Sequence, residues 1–194
     1  MNDVAFSKRY YNISELIMMG FSYYKIKNLV NTGIFNKVGK SLYENNHYEG
    51  YYNDFETVCA YARHGVVCML SAARFYNLTN YIPDSVDIGI NRKMKISNVP
   101  TSPSINVWYF SNERYENEIT TVDNIKIYGI EKTVIDIIYY RNRVGIEETK
   151  EVLNNYLKRS DRDIVKLYKL ANRLGCIKIL KTYLEVLIWW NVLL

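Results

Sequence analysis

The chain has 194 residues, of which 48% are hydrophobic, and carries a formal net charge of +5. This length and composition exclude a disordered chain and allow one sizeable core or two modest ones. The longest apolar run, residues 186–190 and 192–194, is interrupted by Asn191 and is shorter than the ~20 residues that a membrane span needs, so we expect no membrane partner.

The charge is concentrated in two separate zones. Residues 7–43 hold six basic side chains and one acidic side chain, and residues 141–182 hold eleven basic and five acidic ones. The segment 55–140 between them is close to neutral. Two separated basic zones predict a polyanion as the partner.

The start of the chain and its cysteines bear on the location of the protein and on whether it binds a metal. Residues 1–8 contain Asp3 and no apolar stretch of signal-peptide length, which predicts a cytoplasmic protein. The three cysteines form no C-x-x-C pair and there are two histidines, which favours free thiols over a zinc site. We expect neither a metal nor another cofactor.

Two short helices are predicted near the N-terminus. Asn12 or Ser14 can cap the first helix, which ends at Gly20. Ser22 starts the second helix, which continues to Thr32. Two helices joined by a tight turn form a helix-turn-helix.

A hairpin is predicted directly after the second helix. The short segments 35–38 and 42–44 flank a turn that contains Gly39, which is typical of a two-stranded wing. The order of elements predicts a winged helix-turn-helix in residues 1–50, followed by a mixed α/β domain in residues 51–194.

The outward face of the second helix suits duplex DNA. Ile26, Leu29 and Val30 share one side, and the opposite side carries cations and amides without an acid. Asparagine can pair with adenine, and lysine can donate to guanine or phosphate from the major groove. An ordinary solvated face and a protein-binding module are the alternatives. The candidate DNA-binding residues are Ser22, Tyr24, Lys25, Lys27, Asn28 and Asn31, with Lys37 and Lys40 on the wing.

Beyond residue 50 the pattern indicates an α+β domain in which helices cover a small sheet. The predicted strands are 85–90, 105–110 and 119–128, the last broken near Asp123 and Asn124. The segment 66–70 fits a strand or the start of a helix, and 91–104 is a loop. The predicted helices are 54–64, 71–78 with Ser71 as its cap, 130–140, 146–158, 160–174 with Ser160 in a capping box, and 176–190.

A second basic face is predicted on the helix 160–174. Its cations Arg162, Lys166, Lys169 and Arg173 follow 4-3-4 spacing on one side. We hypothesise that they extend the DNA contact when an operator bends, or meet RNA or an acidic partner. The alternative is a solvated helix face.

Glu131 and Asp136 form the one pair of carboxylates that could suggest acid–base chemistry. We interpret them as structural, because Glu131 lies in the first turn of a helix and Lys132 and Asp136 are i,i+4 partners. The sequence has no nucleophile with a nearby base and no Gly-rich phosphate loop. We therefore predict that the chain is not an enzyme. Metal-dependent cleavage of nucleic acid that is lost on changing Asp136 would revive that alternative.

Three segments resemble the AbiEi family of antitoxins, found in AbiE-type, type IV toxin–antitoxin and phage-abortive systems. They occur in the family's order along nearly the whole chain. The segments are 31–43, similar to k-x-G-h-h-x-r-v-x-r-G-h-Y; 70–79, similar to S-A-L-x-x-h-G-L-t; and 131–136, similar to E-R-T-x-x-D.

The chain departs from the second and third of these patterns. Ala73, Tyr76 and Asn77 replace the usual Leu, His and Gly, and Lys132 replaces Arg.

The resemblance implies an autorepressor that is also an antitoxin. Two copies of the winged helix would bind inverted repeats in the promoter of their own operon. The C-terminal domain would counter a nucleotidyltransferase toxin encoded next door, and a stable complex with that toxin is not required. The alternative is a plain winged-helix transcriptional regulator whose C-terminal domain senses a ligand or mediates assembly.

Overall fold

The computed structural model describes residues 6–96 and 98–192, with side chains up to residue 185. Within these ranges the chain is α+β, as the sequence predicts. A three-stranded sheet is formed by residues 10–45, and a five-stranded sheet is formed by residues 66–128.

The N-terminal unit, residues 6–45, combines two helices with the three-stranded sheet. Its elements are β1 (Tyr10–Asn12), α1 (Ile13–Met18), α2 (Tyr23–Asn31), β2 (Phe35–Lys37) and β3 (Leu42–Asn45). β3 lies between β1 and β2 and is antiparallel to both. The helices and the hairpin occur where the sequence predicts them. β1 is not predicted, because its first two residues, Tyr10 and Tyr11, are both buried and show no alternation.

Local signals define both helices of this unit. The Asn12 side chain accepts from the Glu15 amide, and the Glu15 carboxylate accepts from the Asn12 amide, which forms a capping box. Ser22 caps α2 by accepting from the Lys25 amide. Gly20 has a φ of 88°, a left-handed conformation that lets the chain turn between the helices.

The N-terminal unit has its own apolar core. Leu16, Ile26 and Phe35 are fully buried, and Tyr11 and Tyr43 complete the cluster. One side of α2 is therefore fixed against the core through Ile26, and the other side is left toward solvent.

The C-terminal domain is built on a mixed five-stranded sheet. Its strands are β4 (Val66–Val67), β5 (Val86–Asn91), β6 (Ile105–Phe110), β7 (Ile119–Val122) and β8 (Ile125–Tyr128), in the order β6-β5-β4-β8-β7. β5 is parallel to β6, and β4 is parallel to β8. The pairs β4–β5 and β7–β8 are antiparallel. The predicted break in 119–128 is confirmed, because Asp123 and Asn124 adopt left-handed φ values of 47° and 68° in the hairpin turn.

Helices pack on both faces of this sheet. They are α3 (Asp54–Tyr61), α4 (Met69–Phe75), α5 (Asn112–Glu116), α6 (Ile130–Tyr139), α7 (Arg141–Val144), α8 (Ile146–Lys158), α9 (Ile164–Arg173) and α10 (Ile177–Val192). Consecutive residues of a strand point to opposite faces of the sheet. Val66 therefore belongs to the larger core cluster with α6, α8 and α9, and Val67 belongs to the smaller cluster with α3.

Two predicted helix starts are wrong, and two short helices are not predicted. α4 begins at Met69 with Cys68 at its N-cap, and Ser71 lies inside the helix. Its hydroxyl donates to the Asp87 carboxylate at 3.5 Å and accepts from the Asp87 amide at 2.9 Å. α9 begins at Ile164, because the Asp163 carboxylate rather than Ser160 accepts from the Lys166 amide. The short helices α5 and α7 are not predicted by the sequence pattern, since neither is long enough to show periodicity.

The two units contact each other through Arg9 and Tyr10. The Arg9 guanidinium pairs with Glu44 at 2.8 Å, donates to Thr57 of α3 at 3.2 Å and stacks on the Tyr52 ring at 4.1 Å. Burial is the main reason that the pKa of Tyr10 rises to about 12. In the described ranges, no helix has the length and apolar character that crossing a bilayer requires.

Candidate nucleic-acid interface

The side of α2 opposite the core is exposed over its whole length. Ile26 is 2% exposed, whereas Tyr24 on the opposite side is 81% exposed. The helical projection of the sequence is therefore confirmed in its main feature. All six candidate residues of this segment are exposed: Ser22, Tyr24, Lys25, Lys27, Asn28 and Asn31. We refer to these six residues as the α2 face.

The lysines of the α2 face carry charge that is not neutralised nearby. Neither Lys25 nor Lys27 forms an ion pair with any residue that the structure describes. Residues 16–43 contain no acidic side chain. Glu15, the nearest acid along the chain, is held by Lys8 at 3.1 Å and by the Asn12 amide. A helix with this charge and these amides can donate to phosphates and base edges.

The two wing lysines lie in different surroundings. Lys37 is exposed on β2. Lys40 is exposed in the turn 38–41 and lines a cleft of about 560 Å³ between the two units. The turn lies against the C-terminal domain, because a Cβ placed on Gly39 would be 3.2 Å from the Asn98 side-chain nitrogen. The sequence does not predict this contact.

Two exposed residues beside the α2 face are missed by the sequence prediction. Met18 at the end of α1 is 80% exposed, and Tyr23 at the start of α2 is 69% exposed. Apolar side chains at such positions can contact thymine methyl groups in the major groove. The sequence singles out Tyr24 among the tyrosines, but exposure does not distinguish it from Tyr23.

Some cations of the second basic face are already bound to other residues of the chain. Lys166 is bound to the Glu118 carboxylate at 2.7 Å and to the Glu131 carboxylate at 3.2 Å. The bond to Glu118 is the main reason that its pKa is raised. Arg162 precedes α9 and donates to the Arg159 carbonyl, and Arg173 donates to the Asn117 side-chain oxygen. Three of the four cations are exposed, but the predicted placement of all four on one helix is wrong, because α9 begins after Arg162.

Replacing Lys166 tests whether its bonds to Glu118 and Glu131 stabilise the fold. Lys166→Met keeps the aliphatic stem and removes the charge, which leaves Glu131 buried with the Tyr156 hydroxyl as its remaining partner among the described side chains. We expect a loss of about 1–3 kcal/mol in the free energy of unfolding, measured by urea denaturation. Lys169→Met, at an exposed position of the same helix, is the matched control and is expected to have little effect. Equal urea midpoints for the two variants would contradict the structural role of Lys166.

The carboxylate of Asp136 belongs to a buried ionic network. Asp136 and its i,i+4 partner Lys132 are both fully buried and form the predicted ion pair. Arg114 of α5 pairs with the second oxygen of Asp136 at 2.5 Å and donates to the Leu174 carbonyl at 2.7 Å. Its guanidinium also stacks on the Tyr139 ring at 3.9 Å. This geometry supports our interpretation of Asp136 as structural, because every oxygen already has a cationic partner.

Arg114 is a residue that the sequence gives no reason to select. It lies in a helix of five residues and meets Asp136, which is 22 positions away along the chain. Burial lowers the pKa of Lys132, although Asp136 opposes the shift. The network therefore places the Asp136 carboxylate between two buried cations.

Two of the departures from the AbiEi patterns are compatible with the local geometry. Asn77 adopts a φ of 56°, the left-handed conformation for which glycine is best suited and asparagine is next best. The hydroxyl of Tyr76 donates to the Tyr128 carbonyl at 2.9 Å, which ties α4 to β8. The segments 70–79 and 131–136 contact each other through α4 and α6, so they form part of one core.

The cysteines and acidic groups do not form a recognisable chemical centre in the described residues. Cys68 and Cys176 are buried free thiols and Cys59 is half-buried, and burial raises the pKa of Cys59 and of Cys176 to about 11. No group of three His, Cys, Asp or Glu side chains in these ranges is arranged to hold a metal ion.

Comparison with known proteins adds no identification. A scan against protein-family models finds no match, and a search of curated proteins finds no significant similarity.

Proposed function

We propose that this chain is a DNA-binding autorepressor and the antitoxin of a type IV toxin–antitoxin operon. Residues 1–50 act as a winged helix-turn-helix on inverted repeats in the chain's own promoter, with two copies on the DNA. Residues 51–194 act in the cytoplasm against a nucleotidyltransferase toxin encoded by the neighbouring gene. No catalytic step is assigned to the chain.

The element order supports the winged-helix part of the proposal. Two helices, α1 and α2, are joined by a tight turn at Gly20 and are followed by the β2–β3 hairpin. The additional strand β1 pairs with β3, which connects the entry of the helix pair to the hairpin. A small sheet of this kind fixes the second helix relative to the wing.

The proposal rests on one observation, which is the composition and exposure of the α2 face. It combines exposed lysines and asparagines, no acid in residues 16–43 and a buried Ile26 that sets its orientation. Lysine and asparagine are the side chains that read guanine and adenine from a major-groove helix. The Ser22 hydroxyl is already engaged in capping α2, so we assign it to positioning the helix start near a phosphate.

The antitoxin part rests on the resemblance to AbiEi proteins. The segments 70–79 and 131–136 that carry it are largely buried in the C-terminal domain. These buried segments support a fold shared with AbiEi proteins. They do not identify the surface that acts against a toxin.

Two measurements test the proposal directly. In the first, fluorescence anisotropy of a labelled duplex from the chain's own promoter is expected to show binding that weakens as salt rises, with a scrambled duplex bound more weakly. In the second, co-expression with the adjacent gene's product is expected to restore growth. A chain that binds promoter DNA but gives no rescue would favour the plain regulator. A chain that shows no preference for its promoter would contradict autorepression.

A further inference from the structure

A cleft between the N-terminal unit and the C-terminal domain is rich in cations. Its volume is about 560 Å³, which lies within the roughly 300–1,000 Å³ of small-molecule sites. One wall comes from β1, the start of α1 and residues 40–42. The other comes from the end of α3, from Lys95, Ile96 and Asn98, and from the β7–β8 hairpin. The charged lining consists of the cations Lys8, Lys40, Arg63, Lys95 and Lys126 and the carboxylates Glu15 and Glu56.

Four of these five cations form no ion pair with any residue that the structure describes. Lys8 is paired with Glu15 at 3.1 Å, and the Lys126 ammonium donates to the Arg63 carbonyl at 3.2 Å. Lys40, Arg63 and Lys95 are exposed and take part in none of the ion pairs formed by the described residues. Like charges that line one concavity repel each other, and an anion placed between them relieves that repulsion.

The uncharged lining fits the remainder of an organic ligand. The side chains of Asn98, Asn124 and Thr121 supply hydrogen-bonding groups, while Tyr61 and Ile96 supply apolar surface. Ligand sites commonly combine an apolar wall with a few polar groups that fix orientation. The volume accommodates one small molecule, and a duplex is too wide to enter it.

We propose that this cleft binds a phosphorylated small molecule of nucleotide size, with its phosphates against Lys40, Arg63 and Lys95. A guanidinium can engage a phosphate through two parallel hydrogen bonds, and separate ammonium groups can engage the next phosphate of a di- or triphosphate. Lys40 comes from the N-terminal unit and the other two cations come from the C-terminal domain, so the ligand would bridge the units. The inference does not depend on the proposed binding of promoter DNA.

The test compares two charge-reversed variants of the full chain. The cleft variant carries Arg63→Glu and Lys95→Glu, and the control variant carries Arg74→Glu and Lys158→Glu, which are exposed and lie outside the cleft. Anisotropy of a fluorescent ATP analogue is measured at about 0.15 M salt, with inorganic triphosphate as competitor. We expect saturable one-to-one binding to the wild type and the control, and a loss of roughly tenfold or more in the cleft variant. Circular dichroism of each variant checks that it is folded.

Binding of a duplex oligonucleotide to the same three proteins separates the sources of phosphate. If the cleft variant loses nucleotide binding and keeps duplex binding, the ligand is a free phosphorylated molecule. If the wild type binds no nucleotide and the cleft variant alone loses duplex affinity, the phosphates belong to the DNA backbone. The proposal is overturned if the cleft variant binds both probes as the wild type does, or if the control loses as much.

Discussion

Replacing Lys27 and Asn28 together with glutamate is expected to weaken binding of promoter DNA by at least about 100-fold. Each side chain is assigned a base or phosphate contact worth about 1–3 kcal/mol, and the new carboxylates add repulsion from the phosphates. Both residues are exposed, so the change removes no packing. Glutamate is also a better helix former than asparagine, so α2 is expected to stay folded.

A control with the same change in charge separates a local contact from the effect of net charge. Lys158→Glu with Asn142→Glu makes this change at exposed positions of the C-terminal domain. Titration of a labelled promoter duplex is expected to give nearly wild-type affinity for the control. If the α2 variant and the control lose the same affinity, binding depends on overall charge, and the assignment of the α2 face to DNA is wrong.

Asp136→Ala is expected to destabilise the fold more than any other substitution considered. It removes the shared partner of Arg114 and Lys132 and leaves two buried cations unpaired. Breaking a buried ion pair from one side costs about 3–5 kcal/mol, which is a large part of the 5–15 kcal/mol typical of a folded domain. Urea denaturation followed by circular dichroism measures the loss.

Asp84→Ala removes an exposed carboxylate and serves as the control for this change. We expect its urea midpoint to stay close to that of the wild type. A second variant, Asp136→Asn, keeps the size of the side chain and removes the charge. If either variant at Asp136 cost less than about 1 kcal/mol, the network could not have the structural role that we assign to it.

Features set by neighbouring residues could be predicted from the sequence. The caps of α1 and α2, at Asn12 and Ser22, and the left-handed turn at Gly20 follow from the preferences of those residue types. The pair Lys132–Asp136 follows from the helical repeat in the same way. Burial of Ile26 follows from the periodicity of α2, and with it the identity of the exposed face.

Features set by distant residues could not be predicted. Strand β1 pairs with β3, which lies thirty or more positions away along the chain. A strand of three residues is too short to show a periodic pattern. The neutralisation of Lys166 requires Glu118 and Glu131, which come from other segments. The same holds for the cleft, whose cations come from separate parts of the chain. Spacing within one helix therefore overstated the second basic face and gave no indication of the cleft.

Photo-crosslinking from position 24 shows whether the α2 face lies against DNA, because a crosslink reports proximity rather than affinity. Tyr24 is replaced by the photoreactive residue p-benzoylphenylalanine, which is also aromatic, and the control carries it in place of Tyr109, which is 60% exposed on β6. Each protein is irradiated with the labelled promoter duplex. We predict a light-dependent covalent adduct from position 24 and none from position 109. A complex that forms but gives no adduct from position 24 would contradict the account.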